Sequence, residues 1–265
     1  MSYKLIDTHV HLDELENVDL AFEEARRKDI IAIVAVGSDY ESNIKILELS
    51  QKYNSFVFPA LGLHPWQLTK LGPSEVDTTL NFIEQNITKA VAIGEIGLDY
   101  HKRLVEVVPK EMQKEVLVRL LKLAKRYDKP VIIHSRYAWK DAFLMAREVG
   151  VDKAVFHWFT GFSSVLNNII SSGYFISATP AAEYHEEHRR AVKSVPIDQL
   201  LLETDSPVTY GREVRYRASP ADVVKSLTAA TQLTGVSQTI IAEKTTQNAI
   251  KLFSLQGINK IMEVE

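Results

Sequence analysis

Two histidines one residue apart, His9 and His11, follow a short apolar stretch and Asp7. Further along the chain, His64, Glu95, Asp99, His134, Arg136, His157, Glu203 and Asp205 each stand at or just beyond the end of another apolar, β-branched run. Neutral imidazoles and carboxylates are the ligands of Zn, Mn, Fe or Co, and carboxylate-richer sets favour Mg or Ca. One ion could not use six protein ligands and stay open to a substrate. Two divalent ions about 3.5–4 Å apart, sharing a carboxylate, could do so. The expected arrangement puts His9, His11 and Asp205 on one ion, His134 and His157 on the other, and Glu95 across both. Asp7 and Glu203, each two positions from one of these residues, are expected to stand behind them, Glu203 towards the substrate side.

Such residues act together only if the fold brings them together. Strand signals occur at 4–12, 30–37, 57–63, 90–98, 130–135, 153–159, 173–178 and 199–204. Helical spacing fills the intervals, with Met112, Val116, Leu120, Leu123 and Tyr127 marking one face of the longest segment. Crossovers of this length require parallel strands, and continuous apolar runs such as IIAIVAV suit a sheet covered on both faces. Eight such units in about 250 residues predict one α/β domain over 1–265, a (β/α)8 TIM barrel. An open doubly wound sheet would carry a glycine-rich phosphate turn after its first strand, where this chain has Asp7-Thr8-His9-Val10-His11. In a barrel, reactive groups gather at the C-terminal strand ends. Strict alternation puts His9 and His11 on one face with Asp7 and Leu5, and Glu95 with Ile93 and Val91. It likewise puts His134 with Ile132, His157 with Val155, and Asp205 with Glu203 and Leu201, so that all can point inward.

Composition narrows the classes further. The 265 residues are 46% hydrophobic and 25% charged, with 31 basic against 34 acidic side chains and a formal charge of −3. That excludes a disordered tail and a strongly basic DNA-coating protein, so any nucleic-acid contact must be local. No apolar run is long enough for a membrane helix, and the chain has no cysteine, which excludes disulfides and thiolate metal sites. The first six residues show no secretory pattern. The expectation is a cytoplasmic protein without a membrane partner, and the sequence implies no stable protein partner.

Several other features have plainer readings. His185-Glu186-Glu187-His188 lacks the one-turn spacing of the H-E-x-x-H zinc motif and reads as a solvated helix face. Trp158 and Phe159 read as rim packing, while His101, beside Lys102 and Arg103, suits either surface or substrate contact. The stretch 210–217, YGREVRYR, could hold phosphates and stack bases, or be an ordinary solvated loop.

Taken in order, IDTHVHLD (6–13), GLHP (62–65), AIGEIGLDY (92–100), PVIIHSR (130–136), HWFTG (157–161) and LLETDSP (201–207) resemble the TatD family of metal-dependent hydrolases, within the amidohydrolase-like barrels. TTQNAIKLF (245–253) is similar to that family's closing helix. The resemblance implies a two-metal barrel acting on DNA, commonly as an exonuclease, with a nucleic acid or other phosphate ester as substrate. It assigns His9, His11, Glu95, His134, His157 and Asp205 as ligands, with His64 and Arg136 on the substrate side. Two departures stand out: HWFTG replaces the usual HCFSG, and Ser219-Pro220 replaces an Asn-Pro helix start. The expected reaction is phosphodiester hydrolysis by metal-activated water, with Asp205 taking the proton and Glu95 bridging the ions. The same activated water could instead attack a carbonyl centre, either a C–N bond or an aminoacyl ester. A strand-end lysine suited to carbamylation would favour the C–N branch, and Glu95 stands in that place. A non-catalytic, metal-loaded scaffold is the third reading.

Overall fold

The structure, a computed structural model, describes residues 3–258. Eight parallel strands pair in sequence order: β1 (Leu5–Val10), β2 (Ile30–Val36), β3 (Val57–Leu63), β4 (Ala92–Gly97), β5 (Val131–His134), β6 (Ala154–Phe156), β7 (Phe175–Ala178) and β8 (Leu200–Leu202). Helices α1 (Val18–Arg27), α2 (Tyr40–Lys52) and α3 (Pro73–Asn86) link the first four strands. A short α4 (Lys102–Val105) precedes α5 (Lys110–Arg126), and α6 (Trp139–Val149), α7 (Ser163–Ser171) and α8 (Glu186–Ser194) come after it. Beyond β8 a small antiparallel hairpin, β9 (Thr209–Tyr210) with β10 (Tyr216–Arg217), leads to α9 (Val223–Thr234) and α10 (Gln238–Phe253). The expected (β/α)8 barrel is therefore present, and α4 and the hairpin are additions to it. No described helix is long and apolar enough to cross a membrane.

Two apolar layers hold the barrel. The outer layer sets strand residues such as Leu5, Ile33, Leu61, Ile93 and Ile133 against the helices. The inner layer joins Ile6, Val34, Ala60, Ala92, Ile132, Val155 and Leu201 inside the barrel to Leu252, Phe253 and Leu255 from the end of α10, which plugs the bottom. Burying one such large side chain stabilises by about 1.5–3 kcal/mol, so the lower barrel is packed solid and only its mouth is open.

The same layers correct the expectation of strict alternation. Ile132, Val155 and Leu201 face inward, in line with His134, His157 and Asp205. Leu5 and Ile93, however, face the helices. On β1 the register slips between Asp7 and Val10, and on β4 it slips between Ile93 and Ile96. Each extra residue reverses the facing of the residues after it, as bulges do near working sites. His9 and Glu95 thus turn into the mouth from strands whose simple parity would have sent them out.

The barrel closes between its first and last strands. Val10 bridges Ser206, the Asp205 amide donates to the His9 carbonyl (3.0 Å), and the His11 amide donates to the Ser206 carbonyl (2.9 Å). Below them Asp7 accepts from the Thr204 amide at 2.9 Å and from the Thr204 hydroxyl, while Thr8 Oγ1 donates to the Leu202 carbonyl.

Candidate metal centre and substrate cleft

Glu95, buried at the end of β4, is the hub of the mouth. Its Oε2 lies 3.6 Å from His9 Nε2 and 3.4 Å from His11 Nε2. Its Oε1 lies 2.8 Å from His157 Nε2, 3.0 Å from His134 Nδ1 and 3.6 Å from His64 Nε2. Asp205 Oδ1 completes the first side, 3.5 Å from His9 Nε2 and 3.3 Å from His11 Nε2. His134 Nδ1 and His157 Nε2 are 3.3 Å apart on the other. All six residues expected as ligands therefore converge, with two imidazoles at Glu95 Oε2 and three, His64 among them, at Oε1.

Hydrogen bonding shows what these atoms can do. His134 Nε2–H donates to Asp99 Oδ2 (3.1 Å), so in the neutral ring the Nδ1 lone pair faces Glu95. His157 Nε2 faces Glu95, while its Nδ1, 3.5 Å from Glu203 Oε1, makes no hydrogen bond, and against the burial of the ring the carboxylates of Glu95 and Glu203 drive its pKa well above the usual value. These inner nitrogens crowd Glu95 Oε1 and each other at 2.8–3.3 Å, a contact that either a proton or a metal cation between them satisfies. His9 is wholly buried, stacked 4.1 Å from the His157 ring, and neither of its nitrogens has a hydrogen-bond partner. A buried polar atom left so is costly unless a ligand satisfies it. Ligand atoms bound about 2.1 Å from one ion lie roughly 3.0–3.5 Å from each other, the spacing seen here. The residues present thus fit divalent cations.

His64 differs. Its Nδ1 accepts from the Trp66 amide (3.1 Å), so its Nε2 carries the proton and points at Glu95 as a donor. Burial pushes this imidazole down to about 3, keeping it neutral. Although His64, Glu95 and His134 are close enough to hold an ion, that tautomer sets His64 apart from the other imidazoles. Burial works to raise the carboxyls of Glu95 and Asp205, but the surrounding imidazoles outweigh it and hold both below their usual range. His11 is desolvated yet driven up to about 9 by Asp205 and Glu95.

A second tier fixes these rings. Asp99 Oδ2 accepts from Arg136 Nε (2.9 Å) and Trp66 Nε1 (2.6 Å) as well as from His134. The sequence marked Asp99 as a strand-end carboxylate without giving it a role. Its distance of four residues from Glu95, past the β4 slip, was the signal. Glu203 Oε1 accepts from the Trp158 amide (3.0 Å) and lies behind His157, away from the cleft. Asp7 is likewise behind, accepting from the His9 and Thr204 amides. Arg136 and His64 line a cleft of about 710 Å³ together with His11, Glu95 and Asp205.

The solvated reading of 185–188 is half right. His185 is half-buried and pairs with Glu187, but His188 is fully buried, accepting from the Thr179 amide (3.1 Å) and meeting the Phe159 carbonyl (3.0 Å). In α8 it shares the inner face with Ala191 and Val192, an i, i+3, i+4 pattern that could have been read.

A closed parallel barrel whose mouth collects histidines and carboxylates from its first to its last strand defines the class of metal-dependent hydrolase barrels. The profile of the TatD related DNase family matches residues 6–254, and the chain belongs to that family. It is 36% identical to the human deoxyribonuclease TATDN3 over 259 residues, covering 94% of each chain. It is 30% identical to the uncharacterized metal-dependent hydrolase YcfH of Escherichia coli, covering 96% of this chain and 97% of the relative. The crystal structure of YjjV, a TatD homolog of Escherichia coli, superposes with a TM-score of 0.86 at 28% identity, covering 96% of this chain and 99% of that one.

Proposed function

We propose that this protein is a metal-dependent hydrolase that cleaves phosphodiester bonds of DNA, using two divalent cations at the barrel mouth. The observation that carries the reading is buried Glu95, whose Oε2 faces His9 Nε2 and His11 Nε2 and whose Oε1 faces His134 Nδ1 and His157 Nε2, while wholly buried His9 has no hydrogen-bond partner on either nitrogen. His9, His11 and Asp205 would hold one ion, His134 and His157 the other, with Glu95 shared. The human relative is named a deoxyribonuclease, which supports a nucleic-acid phosphodiester as substrate. Bound cations supply Lewis acidity to the phosphoryl oxygens and acidify the attacking water.

The chain's own residues do the rest. Asp205, ionised and open to the cleft, accepts the proton of the attacking water. Arg136, anchored by Asp99, and the Nε2–H of His64 stand where a phosphoryl or leaving oxygen can be met by donors. Asp99 behind His134 and Glu203 beside His157 set an inner nitrogen of each ring towards the mouth. The cysteine-free composition suits a reducing compartment, and the cytoplasm is the location we propose.

The test is a panel of single-stranded DNA, duplex DNA, an amide and an aminoacyl ester, each with Mg, Mn, Co or Zn and with chelator. Metal-dependent cleavage of DNA is expected, two metal equivalents by elemental analysis, and a loss of at least about 10²–10³-fold in Glu95→Gln with the fold retained. Turnover of the amide or ester alone, or cleavage untouched by chelator, would refute the reading.

A further inference from the structure

One side of the mouth carries a run of aromatic rings that the metal chemistry does not use. His101, Tyr137, Trp139 and Phe162 succeed one another with ring centroids 6.3, 5.8 and 5.6 Å apart. Tyr137 is 59% exposed and Phe162 68%, so the faces of both rings are open to solvent. Contiguous exposed aromatic surface that runs outward from a cleft is a candidate binding surface.

Local structure holds them there. Tyr137 directly follows Arg136, in a turn where its φ is 58°, a left-handed conformation disfavoured for an aromatic residue. The turn that sends the Arg136 guanidinium to Asp99 thereby sends the next ring to the rim. Trp139 lies so close over Gly161 that a Cβ there would overlap its ring, and Phe162, next in the chain, stands out beyond it. Tyr137 and Trp139 line the same cleft as Glu95 and Asp205, so the rings continue the site outward.

The opposite side is different. The hairpin 209–217 held the sequence's other candidate for base stacking, but its rings are already occupied. Tyr210 is buried and donates to the Thr204 carbonyl, and Tyr216 lies under the Lys225 ammonium. The chain's formal charge of −3 also rules out broad phosphate neutralisation as the main source of affinity.

Resting on the phosphodiesterase reading above, we infer that Tyr137, Trp139 and Phe162 form a stacking wall that binds the nucleobases flanking the phosphate held in the mouth. Aromatic faces take any base, so the wall gives grip without sequence preference, and it takes only unpaired bases, whose faces are not already covered by a duplex. A protein surface or a second copy of the chain could also cover exposed rings. Continuity with the cleft that holds the phosphate favours bases.

The experiment measures binding of a fluorescein-labelled phosphorothioate oligothymidylate to the as-purified protein by anisotropy, beside kcat/KM on plain oligothymidylate and on ethyl 4-nitrophenyl phosphate, a base-free phosphodiester. Phe162→Ala and Tyr137→Ala are each expected to weaken oligonucleotide binding by about tenfold, with Phe162→Tyr restoring it. For Phe162→Ala the loss in kcat/KM should be about tenfold greater on the oligonucleotide than on the base-free ester, and should lie in KM. Wild-type affinity in both alanine variants, an equal loss on both substrates, or a changed oligomeric state with unchanged DNA binding would overturn the wall. Failure of the parent reading is separately visible, as wild-type protein that cleaves neither phosphodiester under any metal.

Discussion

The histidines of this protein are sorted by what their second nitrogen meets. Asp99 behind His134 and Glu203 beside His157 set an inner nitrogen of each ring towards the mouth, whereas the Trp66 amide makes His64 a donor. His188 shows the purely structural case: the Thr179 N–H points at Nε2, and Nδ1–H serves the Phe159 carbonyl. Only the neutral ring satisfies both, and burial pushes its pKa down from 6.5 to about 4. The folded state thus binds this proton less readily than the unfolded chain, so the contribution is full above about pH 6.5 and is lost as pH falls through about 4. It is on the order of 3 kcal/mol at neutral pH. Comparing urea midpoints of wild type and His188→Gln, the gap should narrow steeply between pH 7.5 and 4.5, and a constant gap would contradict this account. Sequence could identify the mouth histidines because each closes an apolar strand. It misread His188 because the polar neighbours Glu186, Glu187, Arg189 and Arg190 masked the inner face of α8.

Strand ends decide which way the chemistry points, and here the bulges of β1 and β4 matter more than alternation. Residues 132, 155 and 201 kept to the period of two, so β5, β6 and β8 were legible. Leu5 and Ile93 did not, because each precedes a register slip that a period of two cannot reveal. On β3, Gly62 lies against the β4 slip: a Cβ there would overlap the Glu95 backbone nitrogen and oxygen. Gly62→Ala should push β4 away and shift Glu95 without altering any candidate ligand. Overpacking of this kind costs about 1–3 kcal/mol, and a 1 Å displacement near the chemistry lowers rate by about 10²-fold. Thermal melting and DNA cleavage measured together test this. A variant with wild-type activity would show that the close approach of β3 does not hold Glu95 in place.

At the level of the whole barrel, the eight-fold alternation was plain from the spacing of apolar runs, while the β9–β10 hairpin, only two residues per strand, left no periodic trace. Closure by the backbone bonds of Val10–Ser206 and their neighbours is reinforced by a side chain: Asp7 accepts from the Thr204 amide and hydroxyl across the seam and from the His9 amide on its own strand, all buried. Asp7→Ala would strand these donors at about 1–3 kcal/mol apiece. It should lower the urea midpoint, and the stabilisation gained on adding metal should shrink, since the seam carries His9 and Asp205 on its two edges. Equal metal-dependent stabilisation in variant and wild type would separate the seam from the site.

That seam has a temporal consequence. The donors that must meet run from residue 9 to residue 205, so a nascent chain leaving the ribosome carries its first histidines long before it owns the strand they lean on. Until Asp205 has emerged and docked beside His9, unfinished copies lack one wall of the reaction chamber, and a nuclease built this way becomes armed only once its eighth strand is out.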